Sequence, residues 1–571
     1  MDFSQHLSQH ISEHRWHRYL PKSVLCLKDY NRQTFYADLA AGVTVGLVAL
    51  PLAMAFAIAS GLTPQAGIYC AVVTGFLISL LGGSKVQIGG PTGAFVVVVA
   101  GIVAKHGIHG LFLCTMMAGV MLVIMGVTGM GKAVQFIPRP VVMGFTNGIA
   151  VLIASTQIRD FFGLRLEHSP GEFFARMKEL AAHATTWSAP ATLLAVLSLA
   201  LILLTPRVTK RVPGYIVALF AGTAAAALLH LPVETIGTRF GGIPSGLPHL
   251  EFPEFHPNMV LSLISPALTI AMLGAIESLM SAVVADSMTG DRHNSNVELI
   301  GQGVANIFSP IFGGLPATGA IARTATNIRS GAKTPVAGMI HSVTLLGILL
   351  FAAPLASYVP LATLAAILFV VAFNMGEWNE IGAIFQMDFA AISVWLVTFA
   401  LTVFADLTVA VGVGLALAAL LYIYRIADTT TVAPVTDEYI RDGLPHVLQG
   451  RIVPPYVSLL RIHGPFLFGT TEKLVEATVN IDAFEPVVIV RLRNMTAIDA
   501  TGIHALETFA KRLHESGRTM LLCGAMQQPS RLLQGQRFVD RVGRENMMPN
   551  IQAALERAKE LHEGSLQTIA G

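Results

Sequence analysis

From Asp38 to Ile426 the chain runs as apolar stretches of about 20 residues, separated by short polar, glycine-bearing or proline-bearing breaks. The pattern predicts a polytopic α-helical membrane protein. A first set of spans falls at 38–60, 64–82, 92–105, 108–129, 135–156, 190–205 and 213–231. A second set falls at 258–285, 296–314, 319–330, 335–354, 358–374, 387–405 and 408–426. Each set has seven members and its third is only half-length, so the expected architecture is 14 spans as a 7+7 inverted repeat with two half-helices. The odd number per half forces opposite orientations, which brings the two breaks together near the bilayer midplane.

The breaks carry nearly the same chemistry: Ile88-Gly-Gly-Pro-Thr-Gly-Ala-Phe95 and Gly313-Gly-Leu-Pro-Ala-Thr-Gly-Ala-Ile321. Proline lacks a backbone donor, glycine accepts unusual torsions, and threonine caps a helix that begins just after it. Irregular backbone inside lipid is tolerated only where protein buries it or water lines it. A half-helix that starts there presents unpaired N–H groups and a positive dipole end, which attract anions. Taken singly, either stretch also fits a helix kink with packing glycines; the recurrence favours a binding site.

After Ile426 the polar run Asp428-Thr-Thr-Thr-Val-Ala-Pro434 reads as a linker, and charged residues become frequent. Strand patterns at Tyr456–Ile462, Pro486–Arg491 and Thr519–Cys523, with a helical pattern at Thr501–Ser516, predict a small α/β domain. The division is therefore 1–37, an N-terminal segment; 38–427, a transmembrane domain; 428–434, a linker; and 435–571, a soluble domain with its tail.

Composition agrees: 53% of the 571 residues are hydrophobic and 13% charged, against about 25% charged in soluble domains. A net charge of +2 gives no footprint for nucleic acid. Cys26, Cys70, Cys114 and Cys523 are scattered without CxxC or zinc spacing and read as free thiols. No cofactor or metal site is expected. The lack of a nucleophile constellation, P-loop or metal cluster argues against an enzyme. Arg15, Arg18, Lys22, Lys28 and Arg32 precede the first span and place the N-terminus in the cytoplasm. Lys132, Arg139, Arg207, Lys210, Arg211, Arg323, Arg329, Lys333 and Arg425 mostly keep that phase, with the acidic Glu251–Glu254 stretch outside. No secretory signal is recognisable in the polar N-terminal stretch, whose His6, His10, His14 and His17 sit at helical spacing and read as a solvated face.

The clearest intramembrane acid is Glu277, a functional candidate because burying a carboxyl in lipid is costly. Ser281 shares its helix face, and Pro51 is its counterpart in the first half. Arg323, one turn into the second half-helix, supplies a fixed positive charge beside an anion, or pairs with Glu277 or a lipid headgroup. Asp286 and Asp406 lie at span ends and read as solvated or capping groups.

These residues resemble the SulP anion permeases, the solute-carrier 26 family. The likeness rests on Asp38-Leu-Ala-Ala-Gly-Val-Thr-Val-Gly-Leu-Val-Ala-Leu-Pro-Leu-Ala-Met-Ala55, Gly90-Pro-Thr-Gly93, Gly274-Ala-Ile-Glu-Ser-Leu279, Asn296-Val-Glu-Leu-Ile-Gly-Gln-Gly303 and Gly313–Gly319 through Arg323. The tail resembles a STAS domain through Phe466-Leu-Phe-Gly469, Val488-Ile-Val-Arg-Leu-Arg493 and Ile498-Asp-Ala-Thr-Gly502. The resemblance implies a core of spans 1–4 and 8–11 that moves as an elevator against a gate of spans 5–7 and 12–14, in a homodimer. It implies an anion site at Pro51, Thr92, Gly93, Ala94, Glu277, Ser281, Gly319, Ala320 and Arg323; Glu277, a buried carboxyl that can exchange a proton with each transport cycle, is the expected proton-coupling residue. Sodium-coupled bicarbonate carriers of the family have Asp where Glu277 stands, Thr where Ser281 stands and a hydroxyl residue near Ile321, so a proton is the easier coupling ion here. Leu52 replaces a glutamine common in relatives, which leaves the substrate open. Thr501 occupies the place of the residue phosphorylated in related bacterial antagonists, with an uncharged cap as the alternative.

The expected function is secondary active symport of a small anion of the sulfate, bicarbonate or C4-dicarboxylate class with protons. The expected location is the cell inner (plasma) membrane, with the N-terminus and STAS domain cytoplasmic and a cytoplasmic protein partner open to the latter. Uncoupled exchange and sodium-dependent bicarbonate uptake are the alternatives within transport. A membrane-anchored anion sensor signalling through the STAS domain is the alternative of another class.

Overall fold

Each of the fourteen apolar segments predicted from the sequence contains a helix in the computed structural model. In the first set these are Arg32–Ala59, Pro64–Leu81, Gly93–Val127, Arg139–Phe162, Ala189–Val208 and Gly214–Leu228. Gly93–Val127 covers two predicted segments, because Gly107, at φ 69° and ψ −174°, breaks the helical path between them. The second set comprises Pro257–Thr289, Ser295–Phe308, Ile321–Arg329, Val336–Ala356, Leu361–Met375, Phe389–Phe404 and Leu407–Thr429. Nine helices among the described residues are long and apolar enough to cross a membrane. The structure describes residues 20–27, 30–132, 138–166, 172–209, 213–242, 250, 257–405, 407–435 and 453–570. The readings at His6, His10, His14, His17, Arg15, Arg18, Lys28, Lys210, Arg211, Glu251–Glu254 and Asp406 lie outside them.

The first helix starts at Arg32, six residues before the apolar run, because Asn31 caps it: its side-chain oxygen accepts from the Thr34 N–H at 2.8 Å. The chain divides into two units, Met1–Ala416 and Leu417–Gly571. Within the first, Pro257–Thr289 and Ser295–Phe308 pack on Gly93–Val127, and Val336–Ala356 packs on Arg32–Ala59 and Pro64–Leu81. Arg139–Phe162, Ala189–Val208, Gly214–Leu228, Leu361–Met375 and Phe389–Phe404 pack mainly on one another.

Two short strands sit where the chain is interrupted. Strand β1 (Gly89–Gly90) pairs antiparallel with β2 (Thr318–Gly319), with Gly89 opposite Gly319 and Gly90 opposite Thr318. Each strand leads directly into a half-helix. Antiparallel pairing therefore sends the two half-helices away from the clasp in opposing directions.

The second unit is a five-stranded sheet in the order β3 (Thr431–Pro434), β4 (Val457–His463), β5 (Val487–Asn494), β6 (Thr519–Cys523), β7 (Met547–Met548). All neighbours are parallel except β3 and β4. Helix Ala500–Glu515 buries Leu506, Phe509 and Leu513 against one face, and Ile551–Ala570 buries Ile551, Ala554 and Ala558 against the other. The 428–434 stretch is not a free linker: Asp428 and Thr429 finish a helix, and residues 431–434 form the edge strand β3. A β-branched Thr-Val pair suits a strand, and Pro434, which cannot donate to a ladder, is tolerated at a sheet edge.

Candidate functional site

Threonine was expected to cap each half-helix, and neither side chain does so. Thr92 is the N-cap residue of Gly93–Val127, yet its hydroxyl makes no cap bond. It donates instead to Glu277 Oε2 at 2.9 Å. In the second break the N-cap residue is Ala320, and the Thr318 hydroxyl donates to the Gly274 carbonyl at 2.9 Å. Both threonines thus tie their break to the same helix, Pro257–Thr289. The first N–H groups of a helix have no intrahelical acceptor, so leaving both ends without a side-chain cap keeps these donors available.

A cavity of about 300 Å³ opens at this point, and Thr92, Gly93, Glu277, Gly319, Ala320 and Arg323 all line it. The lining also includes Val141, Phe145, Tyr215 and Asn374 from the other packed group of helices, and Glu377 two residues beyond the end of Leu361–Met375. Arg323 is 2% exposed and donates to the Pro91 carbonyl, which lies in the opposite break. No ion pair joins it to Glu277, and its Nη1 has no hydrogen-bond partner among the described residues. Arg323 thus stands at the cavity wall without a carboxylate partner among the described residues.

Pro51, Ala94 and Ser281 sit behind the wall. Pro51 is buried inside the first helix, which gives Val48, Leu52 and Phe56 to the cavity instead. Ala94 is 1% exposed, and the Ser281 hydroxyl shares a 3.1 Å hydrogen bond with the Thr324 hydroxyl. Helical phase explains Ser281: one turn along from Glu277, the face has already turned toward the neighbouring half-helix.

Three further buried polar groups brace the segments next to the breaks; Asp38 and Glu298 stand inside the motifs given above, and Gln87 does not. Glu298, 1% exposed, accepts from Gly83 N at 2.8 Å, Ser84 N at 3.1 Å, Gln302 Nε2 at 3.0 Å and Ser278 Oγ at 3.3 Å. Gln87 donates to the Ser278 carbonyl at 3.2 Å and to its hydroxyl at 3.1 Å, next to Glu277. Asp38, fully buried, accepts from Lys333 N at 2.7 Å, Thr334 N at 3.1 Å and Thr334 Oγ1 at 2.5 Å. The signal available for all three was a polar residue inside or beside an apolar segment, which demands partners when buried.

Outside the membrane segments, Asp291 binds Lys22 at 3.0 Å and Lys85 at 3.5 Å. Partial burial pushes its carboxyl up, but the Lys22 hydrogen bond and neighbouring charges outweigh this and hold it below the usual range. In the second unit burial pushes the Cys523 thiol up to about 12. All four cysteines are free. Thr501 is exposed in the first turn of Ala500–Glu515, capped by Asp499, which accepts from Gly502 N at 2.9 Å and Phe468 N at 3.0 Å. Among the described residues no three His, Cys, Asp or Glu side chains gather as a metal site.

Comparison with known proteins gives two family matches: the sulfate permease family over residues 35–398 and the STAS domain over 451–554. A putative sulfate transporter of Bacillus subtilis, YvdB, is 42% identical over 521 residues, covering 91% of this chain and 97% of the relative. The bicarbonate transporter BicA of Picosynechococcus is 32% identical over 549 residues, covering 91% and 94%. The solved transmembrane domain of a cyanobacterial BicA superposes with a TM-score of 0.60 at 35% identity, over 68% of this chain and 98% of that one. The overall structure of SLC26A9 superposes with a TM-score of 0.86 at 17% identity, over 99% and 96%, and shows the shared fold. These relatives are transporters rather than enzymes.

Proposed function

We propose that this chain, which belongs to the sulfate permease family, is a secondary active transporter of a small anion, coupled to protons through Glu277. The observation that carries the reading is one cavity in which two uncapped half-helix ends, the buried Arg323 and a carboxyl held by Thr92 meet. The helix ends and Arg323 supply a positive potential without covalent chemistry. Sulfate, bicarbonate and C4-dicarboxylates all suit it, and relatives named for sulfate and for bicarbonate support that range.

A carboxyl that shares the cavity with the anion carries a proton in one limb of the cycle and releases it in the other. Alternating access follows if the group of helices bearing both breaks moves as a core against the group bearing Val141, Tyr215 and Glu377, in the manner of an elevator. The family's usual assembly makes a homodimer in the cell membrane the working expectation, with the STAS domain on the cytoplasmic side and Thr501 open to phosphorylation or to a protein partner.

The test is uptake into proteoliposomes of Glu277→Gln. Stimulation by an inward proton gradient is expected to disappear while anion binding persists; undiminished stimulation overturns the coupling role. The likeness to a bicarbonate transporter keeps bicarbonate among the substrates, and a sodium titration of the unaltered protein separates sodium-dependent bicarbonate uptake from proton symport. A cavity wall lacking a hydroxyl at Ile321 argues for the proton, since sodium needs several oxygen ligands.

A further inference from the structure

Glu377 is an acid on the wall of an anion cavity, and its backbone is unusual. Its φ of 41° and ψ of 38° lie in the left-handed region, one of two non-glycine residues with positive φ among those described. For a side-chain-bearing residue this conformation is strained and persists only where the surroundings enforce it. The enforcement is visible. Asn147, fully buried, donates to the carbonyl of Gly376 just before it, and Trp395 Nε1 fixes the Asn147 oxygen at 2.9 Å. On the other side Trp378 Nε1 donates to the Phe373 carbonyl at 2.8 Å, closing the turn around Glu377.

Its charge is left uncompensated. The nearby Glu380 is paired with Arg139 at 2.9 Å, whereas Glu377 has no ion pair or hydrogen-bonded side chain among the described residues. The charged groups lining the cavity are Glu277 and Arg323 on one wall and Glu377 on the other. A lone exposed acid facing a site for anions opposes their entry.

We propose that Glu377 is a specificity-determining residue, a negative charge on the facing wall that penalises anions in proportion to their own charge. The inference rests on the anion-site reading of this cavity. A potential acting on an ion contributes an energy proportional to its valence, so neutralising Glu377 multiplies affinity by some factor for a monovalent anion and by the square of that factor for a divalent one. Reversing the charge repeats the step.

The test uses the purified full chain at fixed pH and low ionic strength. Apparent dissociation constants for bicarbonate, nitrate, sulfate and succinate are measured in the unaltered protein and in Glu377→Gln, Glu377→Lys and Glu377→Gly. Gln is expected to tighten binding, the divalent gain being the square of the monovalent one. Lys should square each gain again, and the effect should shrink in about 0.5 M salt as screening shortens the field. Gly accepts the backbone conformation without cost and should match Gln, which separates charge from folding. Equal gains for both valences, no change, or weaker binding overturns the proposal. If Gly319→Ala abolishes binding while Glu377→Gln leaves every constant unchanged, the anion-site reading stands and this inference alone falls. If none of the four anions binds to any form, the underlying reading falls and takes this one with it.

Discussion

The half-helix at Gly93 rises through Phe95-Val-Val-Val-Val99, whereas the one at Ile321 packs Arg323, Thr324, Thr326, Asn327 and Arg329 into nine residues. Their approaches are alike: each follows a two-residue strand, the strands pair with each other, and neither N-cap side chain covers the helix end. The difference lies in what anchors them. The polar helix is tied across the clasp, with Thr324 Oγ1 accepting from Ile88 N at 3.0 Å and Asn327 donating to the Val86 carbonyl at 2.9 Å. The apolar helix is held by packing, and the side-chain bond made by its own N-cap residue runs from Thr92 to Glu277. Backbone geometry is thus repeated while the guanidinium at the cavity wall, Arg323, stands on only one of the two half-helices.

The sharpest way to break this comparison is Gly319→Ala. A Cβ there would overlap the Gln87 amide and come within 3.2 Å of the Ser278 backbone, so the clasp itself must shift. Overpacking of this kind costs about 1 to 3 kcal/mol or more, and uptake should fall by roughly 100-fold. Gly93→Ala is expected to be milder. Its Cβ meets the ends of Met375 at 2.8 Å and Ile153 at 3.0 Å, flexible side chains that yield, so about a fivefold loss is expected for a strain near 1 kcal/mol. Parallel uptake assays on the two variants check the ranking; equal losses would mean that the breaks are held alike.

The threonines give a finer contrast. Thr92→Val removes the bond to the Glu277 carboxyl and, on the proposed coupling role, should blunt the response of uptake to a pH gradient, with about a tenfold loss of affinity for one hydrogen bond to a charged group. Thr318→Val removes only a bond to the Gly274 carbonyl; it should lower thermal stability slightly and leave the pH response intact. A pH response altered equally in both would erase the distinction. The smallest effect is expected outside the membrane. At neutral pH the Cys523 thiol, buried and pushed up to about 12, should resist maleimide until the second unit unfolds; rapid labelling of the native protein would contradict its burial.

Apolar run length determined the helices, and glycine, proline and threonine inside those runs determined where two of them would break, because lipid permits little else. Alternation and β-branching did the same for β4 to β6. Composition misread 428–434, since an edge strand made of threonine, valine, alanine and proline has the same local look as a linker until its partner β4 is in place. Site residues were legible where they belonged to the breaks or carried a charge in lipid: Thr92, Gly93, Glu277, Gly319, Ala320 and Arg323 meet at one cavity. What needed the tertiary structure was direction. Thr92 turns to Glu277 instead of capping its own helix, Ser281 turns away, and Glu298, Gln87 and Asp38 find partners hundreds of residues distant. A hydrogen bond is fixed by where a side chain points in three dimensions, and residue order sets that only once the helices have packed.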